Sequence, residues 1–263
     1  MNDYIVSYCG GSSGRLVNML VLFAINNIDK PIPITDENSA HLGPSNHEVT
    51  IDLPERFNYR TDTFSLIKWN KAAYANSSMW THASPNFDDI RANPQLANTK
   101  IIFIRVSPPD FVETASNLAN KAYIPTLKKY QSLTSEAARN KELQNCSVMF
   151  KRVTAALIEK LNMRVDELDP SSTELTRIVK DIILDTPDQH NHFLRFTDIE
   201  IPDDFTDRVL VLEFSDLKST VGLAKIKEFI QNDLSTLPQL EKSYVDYVEN
   251  QKQLIKIIYP WIE

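Results

Sequence analysis

Hydrophobic runs of two kinds alternate along this chain. Residues 4–8, 100–106 and 208–214 are apolar at nearly every position rather than at every second one, the pattern of strands buried on both faces of a parallel sheet. Helical periods follow them. Leu16, Val17, Leu20, Val21, Phe23 and Ala24 predict a helix, apolar on most sides, that stops near Asn26-Asn27; residues 111–122 and 220–233 predict two more. Weaker patterns predict a short strand at 77–82, a short helix at 87–93, a loose helix at 63–75, and one strand at 49–53 inside an irregular excursion. That excursion, residues 30–60, holds four prolines and two histidines. Residues 124–163 and 172–184 are helical in composition, with an N-cap and capping-box candidate at Thr134-Ser135-Glu136-Ala137. Strand, turn and helix repeated around buried strands predict an α/β fold: a central, mainly parallel sheet flanked by helices, with a helix-rich C-terminal half. The expected organisation is one domain over 1–263, with a helical insertion at about 124–186 and a C-terminal helix at about 237–259 whose mixed charges form a solvated face.

The densest local signal is the turn after the first strand. Three of the five glycines, Gly10, Gly11 and Gly14, fall within Tyr8-Cys9-Gly10-Gly11-Ser12-Ser13-Gly14-Arg15. A strand, a Gly/Ser turn and a helix present backbone N–H groups and the positive end of a helix dipole to an anion, so the N–H groups from Gly11 to Leu16 are a candidate phosphate cradle. A second strand-turn-helix unit follows at Arg105 and Ser107-Pro108-Pro109-Asp110. Because ligands of open α/β sheets bind beyond the carboxyl ends of the strands, this turn is expected near the first.

A net charge of −7 and a pI near 5.3 argue against nucleic acid as a general partner. Two cysteines, Cys9 and Cys146, make no disulfide framework, and the N-terminus does not read as a signal peptide. The longest apolar stretch, 16–25, is far short of the ~20 residues that span a bilayer. The expectation is a soluble cytoplasmic protein without a membrane partner, with Cys146 a buried structural thiol. His41 and His47 lack any ligand spacing, so no metal is expected.

Three motifs occur in order. They are Ser12-Ser13-Gly14-Arg15 at the first turn, Trp80-Thr81-His82 ahead of the strand at 100–105, and Arg105 through Asp110 leading into a helix that carries Thr114 and Ser116. With the later strand and its Ser215-Asp216-Leu217 turn, they resemble the P-loop sulfotransferases, which move a sulfuryl group from 3′-phosphoadenosine 5′-phosphosulfate to an acceptor. The resemblance implies a P-loop-type three-layer fold and this nucleotide as co-substrate. It implies that Gly10, Gly11, Ser12, Ser13, Gly14, Arg15 and Leu16 cradle the 5′-phosphosulfate, and that Arg105 with Thr114, or Ser116, holds the 3′-phosphate. It implies His82 as the base that deprotonates the acceptor, with Arg15 and Ser12 as the other catalytic candidates. Ser12 stands where the family has its catalytic lysine, Arg15 where it has threonine and Trp80 where it has another lysine; the late Arg-Lys-Gly segment has no counterpart after Asp233.

The resemblance implies an acceptor that is a small molecule or glycan carrying a hydroxyl or amine. Two other readings stay open at this point: a binding protein that keeps the fold without catalysis, and a nucleoside or nucleotide kinase. The kinase motif would need a lysine at Arg15 and a magnesium-binding hydroxyl at Leu16.

Overall fold

Five parallel strands organise one part of the chain: β1 (Asp3–Tyr8), β2 (Asn58–Thr61), β3 (Ser77–Thr81), β4 (Lys100–Arg105) and β5 (Val209–Glu213), in the order β2-β3-β1-β4-β5. The computed structural model describes residues 3–32, 58–61, 77–232 and 234–258. They fall into two units, Met1–Pro108 with Arg195–Glu263, and Pro109–Leu194. The strands expected at 4–8, 77–82, 100–106 and 208–214 are all present; the strand at 49–53 and the helix at 63–75 lie outside the described residues.

The sheet is covered on both faces, which is why its strands read as continuous apolar runs. On one face Ile5, Ile101 and Val209 pack against Phe87 and Ile90 of helix α2 (Phe87–Ala92) and against Leu96 and Phe205. On the other, Tyr4 meets Phe229 edge-on at 6.3 Å, and helix α1 (Gly14–Ile25) takes a hydrogen bond from Ser78 Oγ to Asn18 Oδ1 at 2.7 Å. Every residue of α1 from Leu16 to Ala24 is buried, so the helix is apolar nearly all round. At its far end Asn232 Nδ2 donates to Ala24 O at 2.7 Å, and Asp29 accepts from the backbone N–H groups of Gln239 and Leu240 at 2.8 and 3.2 Å. That carboxylate caps the start of the helix Pro238–Ile258.

The second unit is helical: α3 (Phe111–Leu118), α4 (Ile124–Ser132), α5 (Glu136–Asn145), α6 (Val148–Leu161), α7 (Thr173–Asp185) and α8 (Pro187–Leu194). Three of them begin on serine caps. Ser135, Ser147 and Ser172 accept from the N–H groups of Ala138, Phe150 and Leu175. Two details depart from the sequence reading. The helix expected over 111–122 ends at Leu118 and passes into a π-helical turn, Ala119–Tyr123. Cys146 is the half-buried C-cap of α5 rather than a buried residue within a helix. In the first unit, α9 (Thr220–Ile230) and α10 (Pro238–Ile258) follow β5. Among the described residues no helix is long and apolar enough to cross a membrane.

Candidate functional site

β1 lies at the centre of the sheet, and its carboxyl end is where the connections diverge. Its own chain leaves through α1 toward β2 on one side, whereas β3 connects through α2 to β4 on the other side. Such a switch point opens a crevice between adjacent turns, the usual ligand position in this class of sheet. Register places the candidate residues around it. Thr81 pairs with Ser7 and Ile104 with Tyr8, so His82 and Arg105 flank the end of β1 within one strand spacing on either side.

The turn is built by internal bonds. Ser12 donates twice to Cys9 O, from its N–H at 3.1 Å and its hydroxyl at 2.6 Å. Gly11 sits at φ 86, which glycine alone adopts freely, and Ser13 at φ 65. The strained Ser13 is held from outside: its hydroxyl hydrogen-bonds the Tyr247 hydroxyl of α10. As the N-cap of α1 it would normally cap the first turn through that oxygen, and it makes no such bond. The helix start therefore keeps its positive end without a side-chain cap. Leu16 N–H donates to Ser13 O at 3.1 Å, so the N–H groups of Ser12 and Leu16 are already used within the turn. Ser12, Ser13, Gly14 and Leu16 are buried, while Gly10 and Arg15 are half-buried.

Gly14 has a second reason to be glycine. A Cβ there would lie 1.9 Å from Cγ of Tyr8, so the phenol ring rests directly on the first residue of α1. The same ring meets His82 edge-on at 4.6 Å, and His82 Nδ1 lies 3.1 Å from Tyr8 O. A carbonyl only accepts, so Nδ1 carries the proton in that bond and the lone pair of neutral His82 resides on Nε2. Ser7 Oγ donates to Ala83 O at 2.7 Å and Ala83 N–H to Thr81 Oγ1 at 3.0 Å, fixing the end of β3 beside the turn. These contacts fix the His82 ring beside the turn. Cys9 is fully buried, and burial pushes its thiol well above the usual range.

Arg105 belongs to the opposite face. Alternation along β4 puts it on the side of Ile101 and α2, whereas Tyr8 and His82 lie on the side of α1. A ligand that touches both His82 and Arg105 must lie across the end of β1. Arg105 also carries a counter-ion: its Nε reaches both carboxylate oxygens of Glu213 at 2.8 and 3.0 Å, and Nη2 pairs with the same group. These hydrogen bonds raise the guanidinium pKa. Glu213 is anchored in turn, its N–H donating to Asp216 at 3.0 Å and Asp216 receiving Lys225 at 2.6 Å. Thr114 and Ser116 are buried in the second unit, where their hydroxyls donate to Asp110 O at 2.9 Å and Val112 O at 2.6 Å. The strand ends of the first unit thus assemble the Gly10–Leu16 turn, His82 and Arg105.

Sequence reasoning missed Tyr8, Tyr247 and Glu213. The last had a legible signal, since two buried parallel strands ending in Arg105 and Glu213 pair opposite charges when their ends align. Among the described residues, no group of three or more His, Cys, Asp and Glu could hold a metal ion. In comparisons with known proteins, no family model, no curated protein and no solved structure matches the chain.

Proposed function

We propose that this protein is a sulfotransferase-like enzyme that binds 3′-phosphoadenosine 5′-phosphosulfate across the end of β1 and passes its sulfuryl group to a hydroxyl or amine acceptor. The observation that carries the reading is the placing of His82 beside the glycine turn, its Nδ1 3.1 Å from Tyr8 O, from which a lone pair on Nε2 follows for the neutral ring. In this reading the fold is of the P-loop, three-layer type. Gly10, Gly11, Ser13, Gly14 and Arg15 take the 5′-phosphosulfate at the uncapped start of α1, and Arg105 takes the 3′-phosphate. Nε2 of His82 removes the acceptor proton as the acceptor oxygen or nitrogen forms its bond to sulfur and the bridging P–O–S oxygen leaves with its electron pair. Ser12 acts on the shape of the turn, because both of its donors are spent on Cys9 O.

A second reading, a nucleotide-binding protein without catalysis, draws on two observations. Ser12 supplies no cation to the leaving oxygen, and Arg105 is already neutralised by Glu213. Titration calorimetry with 3′-phosphoadenosine 5′-phosphate separates the outcomes. Both readings expect binding that weakens on Arg105→Ala and tightens severalfold on Glu213→Gln, which removes the competing charge. Absence of binding to the native chain rejects both. Transfer of labelled sulfate to a panel of hydroxyl and amine acceptors then decides between them, with His82→Ala expected to lower the rate by about 10²-fold. An unchanged rate in that variant means that His82 is not the base.

A further inference from the structure

Ser13 stands where the backbone asks for glycine. It holds φ 65 in a turn that already contains three glycines, and Gly11 before it holds φ 86. A side chain in the left-handed region costs energy, and glycine at position 13 would remove that cost. Serine is among the best helix caps, yet this one makes no bond to the first turn of α1. Its side chain is buried, and its hydroxyl is bonded instead to that of Tyr247. A serine in a costly conformation that leaves its usual capping bond unmade is explained by the bond it does make.

Tyr247 comes to the turn on a helix that is anchored along its length. α10 buries one stripe, Leu240, Ser243, Tyr244, Tyr247, Val248 and Gln251, at the three- and four-residue spacing of a single helix face. Asp29 caps its start, and Ser243 Oγ accepts from the N–H of Ile32 at 2.9 Å. Tyr244, one turn before Tyr247, donates its hydroxyl to Ser219 O at 3.1 Å. It fits there because residue 222 is glycine, where a Cβ would lie 2.5 Å from the phenol oxygen. Asp29 and Ile32 follow the far end of α1, whereas Ser13 is its first cap, so α10 runs back along α1 and brings Tyr247 to its head.

We propose that Tyr247 is a positioning residue of the anion turn: by donating to Ser13 Oγ it holds that hydroxyl off the start of α1 and leaves the Ser13 O–H as a donor to the 5′-phosphosulfate. The inference rests on the reading that the turn takes that group. Of the two hydroxyls the phenol is the more acidic and therefore the donor, which makes Ser13 Oγ the acceptor. An anion needs donors around it, and a serine that caps its helix offers a lone pair instead. Without the phenol, Ser13 Oγ is released to accept from the N–H of Arg15 or Leu16, which occupies a first-turn donor and turns a lone pair toward the incoming charge. Tyr247 acts through Ser13 in this arrangement, from the other end of the chain.

Titration calorimetry tests this with two probes, pyrophosphate for the turn alone and 3′-phosphoadenosine 5′-phosphate for the whole site. Tyr247→Phe should weaken both about tenfold, the worth of one hydrogen bond to a charged group. Ser13→Gly should weaken them by the same factor although it relieves the left-handed backbone, and the two changes combined should lose no more than either alone. Tyr244→Phe removes an equally buried phenol from the same helix and should leave both affinities unchanged, which separates positioning from a general loosening of α10. Native affinity for both probes in Tyr247→Phe, or an equal loss in Tyr244→Phe, overturns the inference, while binding of the nucleotide to the native chain keeps the functional reading. Pyrophosphate binding that depends on Tyr247, with no binding of the nucleotide, upholds the inference and rejects that reading. A native chain that binds neither probe overturns both.

Discussion

Gly14→Ala is expected to destabilise the protein by about 2–3 kcal/mol, and the same substitution is expected to cost nothing once Tyr8 is removed. The added Cβ would meet Cγ, Cδ1 and Cδ2 of Tyr8 at 1.9, 2.0 and 2.5 Å. That is the root of a buried ring and not the tip of a flexible chain, so the ring must leave its place between Gly14 and His82 or the helix must back away from β1. Either movement disturbs the turn and the orientation of His82 together. Backbone strain is not the cause, since among the described glycines the one with positive φ is Gly11 and not Gly14. In Tyr8→Ala the obstacle is gone. Tyr8→Ala itself should cost about 3–5 kcal/mol, as for other buried aromatics. In that background Gly14→Ala should be neutral or stabilise by up to about 1 kcal/mol, because alanine is the better residue in a helix. Urea unfolding of the four proteins measures the cycle. An equal cost of Gly14→Ala in both backgrounds would show that the glycine serves something other than the ring.

The glycine turn illustrates how far the sequence could be read. A strand, three glycines and an apolar helical period are local signals, and local signals placed β1, the turn and α1 correctly. The same holds for β4, whose run of isoleucines and phenylalanine predicts a strand buried on both faces. What decides the chemistry of the turn is not local. Tyr247 reaches Ser13 across 234 positions and Glu213 reaches Arg105 across 108, and no window of sequence contains either pair. The order of the strands is likewise a tertiary fact: it places Arg105 and His82 on opposite faces at the two sides of β1. The π turn at Ala119–Tyr123 was illegible for a different reason. A single inserted residue leaves an apolar helical period nearly intact, so residues 111–122 read as one uninterrupted helix while the burial of Lys121 went unseen.

Lys121→Met is expected to raise stability by several kcal/mol below pH 7, with the gain shrinking toward zero near pH 10. The folded chain holds the amine at about 7 through burial, against 10.5 for the free side chain, with Glu113 opposing the shift. Between these values the unfolded chain binds a proton that the folded chain lacks. Unfolding then takes up a proton, and the native protein gains stability as pH rises, by up to ~1.4 kcal/mol per pH unit from this residue. Below pH about 7 both states are protonated; the slope from Lys121 vanishes and its full cost is present. Methionine fills nearly the same volume without a charge and removes that contribution at every pH. Because the other titrating groups are common to both proteins, they cancel in the difference between variant and native. Urea unfolding of both at pH 6, 7, 8 and 9 supplies that difference. A gain that is the same at pH 6 and pH 9 would mean that the ammonium keeps its charge on folding.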